Sequence, residues 1–306
     1  MDFADSVYSE STAYAFIKTF FTPAIRPAFK KTIKSIFYNF FFCQHKNAFL
    51  KGKLPKTFVD HKLDKKIPFT PSWAAIYIDF SQFWIRMLTF FLRRYGRKAY
   101  APIRDFIYSM GDLYKFAAEV YKKHLSTTVR PFYIARPRFL MIHLLDPHLF
   151  CIPSLHVMVA IHTYTMFCVT AKKIGEKDKL KPQAHEMKAG ALAISQAILY
   201  VKQHSVNCIP ATLYAMTNFS PSLFPPQEAE NFTNLLFSEY KTDNDVPKKC
   251  CVHPSASPKT GLPPEDIMLI KKHILKLYYR FLEEQKTSAS WDEPLIRFLK
   301  KYKQES

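Results

Sequence analysis

Glycine is scarce in this chain of 306 residues: six, against 28 phenylalanines and 17 tyrosines. So few glycines leave little material for sharp turns, β-hairpins or glycine-rich phosphate loops, and the composition favours helices. Cysteine is sparse too. The six (Cys43, Cys151, Cys168, Cys208, Cys250 and Cys251) are too scattered for a disulfide scaffold. Cys250-Cys251-Val252-His253 holds ligand-type residues, but no second cluster stands at a zinc spacing, so no metal site is expected there. The N-terminus, with Asp2, Asp5 and Glu10, lacks the basic n-region of a secretory signal. Any membrane insertion is therefore expected to use internal segments.

Acidic residues are outnumbered, 25 against 44 lysines and arginines, for a formal charge of +19. Such an excess implies an anionic partner: nucleic acid, an acidic lipid surface or a phosphorylated substrate. The basic residues fall in almost every connection, Lys30, Lys31, Lys65, Lys66, Arg93, Arg94, Lys172 and Lys173 among them, as in loops that flank membrane segments. No nucleic-acid motif is present, so nucleic acid is not the expected partner. The mean hydropathy of −0.14 is low for a multi-pass protein, which leaves a helical bundle with partial membrane contact as the alternative. With 48% hydrophobic residues the chain can bury a sizeable core.

The stretch around which the chain is organised is Phe150-Cys151-Ile152-Pro153-Ser154-Leu155-His156-Val157. From Cys151 to Ala171 no residue carries a fixed charge, which makes this the best transmembrane or core helix candidate. Pro153 sits where a helix could begin. Ser154 and His156 would lie in the first turn, where unpaired N–H groups favour an anion such as phosphate. An imidazole beside such a site is a candidate acid or base.

In chain order, Thr12 to Phe21 and Ile33 to Phe42 are aromatic-rich blocks with flanking lysines, read as helices that lie in a membrane interface or cross part of it, or else as core helices. Lys51 to Pro71 reads as a linker or surface loop. Trp73 to Leu92 is apolar apart from Asp79 and Arg86, whose spacing places them on one helical side. Pro102 to Tyr121 reads as an amphipathic helix. Arg130, before Pro131, should sit at a helix exit or in a loop. Together with Lys123 it would make a phosphate clamp. Ala191 to Val201 is an uncharged helical stretch that should run to a kink or end at Pro210, a turn beyond His204. On such a helix Asn207 and Cys208 are the residues that could touch the imidazole. Beyond Pro221, Glu265 to Leu282 and Pro294 to Tyr302 read as helices of a surface appendage. The divisions expected are residues 1–70, 71–220 and 221–306.

Three stretches, Lys123 to Pro131, Pro153 to His156 and Lys202 to Val206, resemble in order and content the three signature motifs of the type 2 phosphatidic acid phosphatase superfamily. That superfamily includes lipid phosphatases, lipid phosphotransferases and haloperoxidases. Pro-Ser-Leu-His is similar to the phosphotransferase branch and to some bacterial members. The resemblance implies an all-α, membrane-associated multi-helix bundle, integral and multi-pass, acting on a phospholipid or lipid phosphate without metal or cofactor. It also implies that Lys123, Arg130 and Ser154 bind phosphate oxygens, that His156 protonates the leaving alcohol, and that His204 forms a phosphohistidine, later transferred to water or another alcohol.

The third motif departs from the family pattern. Ala197 and Ile198 stand where the family has Ser-Arg, and Cys208 stands where it has Asp. Lys202 is the candidate replacement for the arginine, and Asn207 or Cys208 for the orienting acid. Two outcomes follow: an active phosphatase or phosphotransferase, or a weak or inactive relative that binds phospholipid headgroups.

Overall fold

The computed structural model describes residues 5–49, 54–131, 133, 146–238 and 261–302. The Cys250-Cys251-Val252-His253 cluster, with Lys51, Lys53, Lys248, Lys249 and Lys259, lies outside them. The described chain is mostly helical, and the scarcity of glycine agrees with that. The two short strands, β1 (Lys56–Phe58) and β2 (Leu125–Thr127), pair in parallel with Thr57 opposite Ser126.

The first helices are α1 (Thr12–Phe21) and α2 (Arg26–Ile36); a π-helical turn over Phe37–Phe42 then leads into α3 (Cys43–Phe49). α4 (Ala74–Tyr95) and α5 (Tyr100–Tyr121) follow, then α6 (Leu155–Lys173), α7 (Lys181–Tyr200), α8 (Cys208–Phe219), α9 (Pro226–Leu235), α10 (Pro264–Gln285) and α11 (Glu293–Lys301). α6 occupies the centre, packed against α4, α5, α7 and α8. It is apolar nearly all round, as a helix without a solvent face must be. Pro153 and Ser154 precede it, Ser154 as its N-cap residue.

Close approaches depend on small residues. A Cβ added at Gly111 of α5 would meet Thr32 Oγ1 of α2 at 2.9 Å, and this closeness lets Thr32 donate to the Ile107 carbonyl at 2.6 Å. α4 buries both its charges, and Asp79 and Arg86 satisfy each other, with Arg86 Nη1 2.7 and 2.8 Å from the two carboxylate oxygens. Their shared side of the helix is buried in the protein. The guanidinium lies over the Tyr8 ring, 5.4 Å from its centroid.

Three expectations are revised. The stretch before Pro71 is more than a surface loop, because it supplies β1 and buries Val59, Leu63 and Ile67. No helix runs through His204: α7 stops at Tyr200, Lys202 takes a left-handed φ of 54°, and α8 begins at Cys208. Pro210 lies in the first turn of α8, where its missing N–H costs nothing, so it helps to start a helix rather than end one. The C-terminal helices are part of the core: Ile270, Ile274, Tyr278 and Phe281 of α10 are fully buried, and α10 packs on α8.

Among the described residues, no helix is long and apolar enough to cross a membrane. α1, α3 and the π-helical turn before α3 instead expose Phe16, Ile17, Phe20, Phe21, Phe41 and Phe42, with Phe21 73% and Phe49 77% accessible. Lysines interleave with them, Lys30 lying over the Phe20 ring and Lys34 over Tyr38.

Candidate functional site

β2 organises the site. The Ser126 hydroxyl accepts from the Ile152 amide at 2.8 Å, its carbonyl accepts from Cys151 at 3.2 Å, and its amide donates to Leu149 at 3.0 Å. The segment before α6 is thereby laid along the strand, and His156 comes out in the first turn of the helix. The second half comes from the break after α7. The amides of Gln203 and His204 both donate to the Ile198 carbonyl at 3.0 Å, closing the helix end. His204 turns back over α6.

The two imidazoles meet edge to face, their centroids 5.5 Å apart and planes at 71°. His156 also stacks on Tyr77 at 4.4 Å and lies 4.1 Å from Phe80, both of α4. Burial above all lowers its pKa to about 3; repulsion from His204 and His148 adds to this and Asp146 opposes it. His156 is therefore neutral at ordinary pH. His204 is buried, and its Nδ1 has no hydrogen-bond partner among the described residues.

Arg130 reaches the same place from the loop after β2. It donates to the Gln203 side-chain oxygen at 3.1 Å and to the Asp146 carbonyl at 3.4 Å. Cys208 is buried beside His204. Burial pushes its thiol up, but hydrogen bonding with Cys151 and the adjacent imidazole outweigh that and bring it to about 6. Ser154 is fully buried at the helix start; its amide donates to Thr212 at 2.8 Å and its hydroxyl has no partner among the described residues.

Three other candidates point elsewhere. The Lys123 ammonium pairs with Asp292 at the start of α11. The Lys202 ammonium donates to the carbonyls of Asp64 and Ile67, tying down the turn after β1, and burial lowers its pKa against the pull of Asp64. The Asn207 amide donates to the Val59 carbonyl at 3.0 Å and to the Tyr302 hydroxyl at 2.9 Å, facing away from His204. Because His204 and Asn207 share no helix, the three-residue spacing does not bring them together.

Two residues that the motifs did not single out complete the cluster. His148 lies 5.9 Å from the His204 ring, 2.8 Å through Nε2 from Thr128 Oγ1 and 3.5 Å from the Cys151 sulfur. Its amide donates to the Asp146 carboxylate at 2.8 Å. Burial raises the Asp146 carboxyl, but the hydrogen bonds and charge of His148, with His156 adding to them, hold it below the usual carboxylate range. The available signal was Asp146-Pro147-His148, two polar residues just upstream of an uncharged run. His148 has φ of 58°, left-handed like Lys202. Two non-glycine residues in that region on either side of one cluster are strained backbone of the kind that collects at functional sites.

Among the described residues, no group of three or more His, Cys, Asp or Glu is arranged to hold a metal ion. No protein-family model matches the chain, and neither a curated protein nor a solved structure matches it.

Proposed function

We propose that the protein transfers the phosphoryl group of a lipid phosphoester through a phosphohistidine on His204. The observation that carries this reading is the meeting of His156 and His204 at 5.5 Å with the Arg130 guanidinium held beside them by Gln203. A nucleophilic imidazole attacks phosphorus, the bond to the leaving alkoxide breaks, and the alkoxide takes the His156 proton. Arg130 stabilises charge on the transferred oxygens. His156, neutral in the empty site, gains its proton when the negative substrate lies between the rings, because an adjacent anion favours the imidazolium. Water or a second alcohol then takes the phosphoryl group from His204.

The lipid character of the substrate rests on α1 to α3. Their exposed aromatic side chains, interleaved with Lys18, Lys30, Lys31 and Lys34, suit the boundary of an anionic bilayer, with aromatic rings at headgroup depth and lysines on the phosphates. Attachment is to one face of the membrane through these helices.

A second reading, a headgroup-binding protein of low activity, is favoured by one observation: His204 Nδ1 lacks the partner that would fix its orientation. The test is incubation of purified protein with radiolabelled short-chain phosphatidic acid, followed by acid-labile phosphoprotein analysis. Label on wild type and none on His204→Ala supports transfer. Binding without label supports the second reading.

A further inference from the structure

On the far side of the His204 loop lies a cleft of about 550 Å³, bounded by the turn after β1, α10 and α11. Its charged and imidazole lining is His61, Lys62, His273, Lys276, Arg280 and Lys301, and no carboxylate lines it. Lys62, Lys276, Arg280 and Lys301 bring four cationic side chains into one concavity, and like charges so gathered repel unless counter-charges offset them. A concave wall also concentrates their field, so the arrangement is favourable when an anion occupies it. Lys276 and Lys301 are solvent-exposed and make no ion pair among the described residues. The Arg280 Nε is held by Glu284 at 2.7 Å, leaving its two terminal nitrogens for a second partner.

The imidazoles are set by their neighbours. Asn207 uses its amide nitrogen on Val59 and Tyr302, so its oxygen is the acceptor and His273 Nε2, 2.8 Å away, carries the proton. His61 Nδ1 accepts from the Leu63 amide at 3.3 Å, which puts the proton of the neutral ring on Nε2. The two rings stack at 4.1 Å. This stacked pair, with Phe298 and Leu277 also lining the cleft, gives an apolar surface beside the cations.

We infer that this cleft is a binding site for a multiply phosphorylated anion, separate from the His156–His204 centre. The cations meet the phosphates, and the stacked imidazoles and apolar wall take the organic part. Asn207 forms part of the wall and lies one residue before Cys208, so an occupant touches the loop that carries His204. The inference does not depend on phosphoryl transfer at His204.

The experiment is calorimetric titration of the full chain with inorganic pyrophosphate and with ATP, and, in a second arm run on the Arg130→Gln variant so that the His156–His204 centre does not contribute, with a water-soluble short-chain phosphatidylinositol bisphosphate. Replacing both lysines, Lys276→Gln with Lys301→Gln, should weaken binding on the order of tenfold to a hundredfold, as expected for losing charge-assisted contacts. His204→Ala and Arg130→Gln should leave it unchanged. Both lysines are exposed, so the double variant should fold as the wild type does, and its circular dichroism and melting temperature check this. Tighter binding of the soluble phosphates identifies a small-molecule ligand, and tighter binding of the phosphatidylinositol bisphosphate identifies a headgroup. Equal affinity of the double variant and wild type, loss with the His204 or Arg130 variant, or no binding of any probe at physiological salt overturns the inference.

Discussion

The buried thiols of Cys151 and Cys208 interact and are shifted in opposite directions. Burial, the Cys208 partner and the Asp146 charge push Cys151 well above the ordinary thiol range, while Cys208 falls to about 6 beside His204. The pair titrates as a unit, with the negative charge on Cys208. The more acidic of the two sulfurs thus stands next to His204, at the position where the resembled family carries an aspartate.

Cys208 should accordingly act as a positioning residue. Cys208→Ala should slow phosphohistidine formation, and a loss on the order of a hundredfold to ten-thousandfold would match the removal of an orienting acid in comparable triads. Cys208→Asp should equal or exceed wild type, because a carboxylate can also pair with the orphan Nδ1. Single-turnover rates across pH separate this role from a packing defect: the acid-side fall that accompanies Cys208 protonation near pH 6 in the wild type should move to lower pH in the Asp variant, because a carboxyl ionises below a thiol.

The two histidines should differ with the leaving group. His204→Ala abolishes transfer from every substrate. His156→Ala should impair alkyl phosphates strongly and p-nitrophenyl phosphate little, since a good leaving group needs no proton. Equal impairment of both substrates by His156→Ala would remove the acid role.

Acid should destabilise the protein through its neutral histidines. His162, buried and 2.8 Å from Ser109 Oγ, is held at about 3 by desolvation, and His156 at about 3 by burial and its neighbours. In the unfolded chain both titrate near ~6.5, so between about pH 6.5 and 3 the unfolded state holds more protons. Stability is complete above that window and falls as pH drops through it, with His162 contributing on the order of a few kcal/mol. Urea unfolding at pH 7.5 and 4.5 should show the loss, and His162→Phe should reduce it.

Asp79→Ala should destabilise the fold by about 3–5 kcal/mol, because it leaves the Arg86 guanidinium buried without its partner. Asp79→Leu with Arg86→Met should recover most of that loss, since an apolar pair of similar volume carries no desolvation penalty. Denaturant titration of the two variants decides it. A double variant as unstable as the single would show that the pair holds Tyr8 and α4 in register.

For membrane attachment, Phe20→Glu with Phe21→Glu should abolish co-sedimentation with anionic vesicles while leaving activity on water-soluble phosphoesters intact. Both rings are about half exposed or more, 48% and 73%, so the fold does not depend on them. Co-sedimentation equal to wild type would place the lipid contact elsewhere.

Helix identity was legible wherever apolar residues recur at helical spacing. Thr12 to Phe21 is α1 at both ends, and the α5 and α10 patterns mark the faces those helices bury. The uncharged run from Cys151 marked a transmembrane or core helix, which the structure buries in the core, and of the residues that the order of motifs singled out, His156, His204 and Arg130 are brought to one place. Local pattern could not decide the directions of long side chains. Lys123 and Lys202 occupy motif positions and Asn207 was the candidate neutral partner of His204, yet each is claimed by a group distant in sequence: Asp292, the Asp64 and Ile67 carbonyls, and Tyr302. Nor could periodicity show that the chain turns left-handed at Lys202, because that turn is held by long-range contacts to the segment after β1. Sequence by itself determined where apolar residues at helical spacing form helices and which residue types carry chemistry, since both follow from neighbours a turn away, but not the break that carries His204. Only tertiary packing decided which of those residues face one another, because a cation or amide binds whatever complementary group the rest of the fold brings within reach.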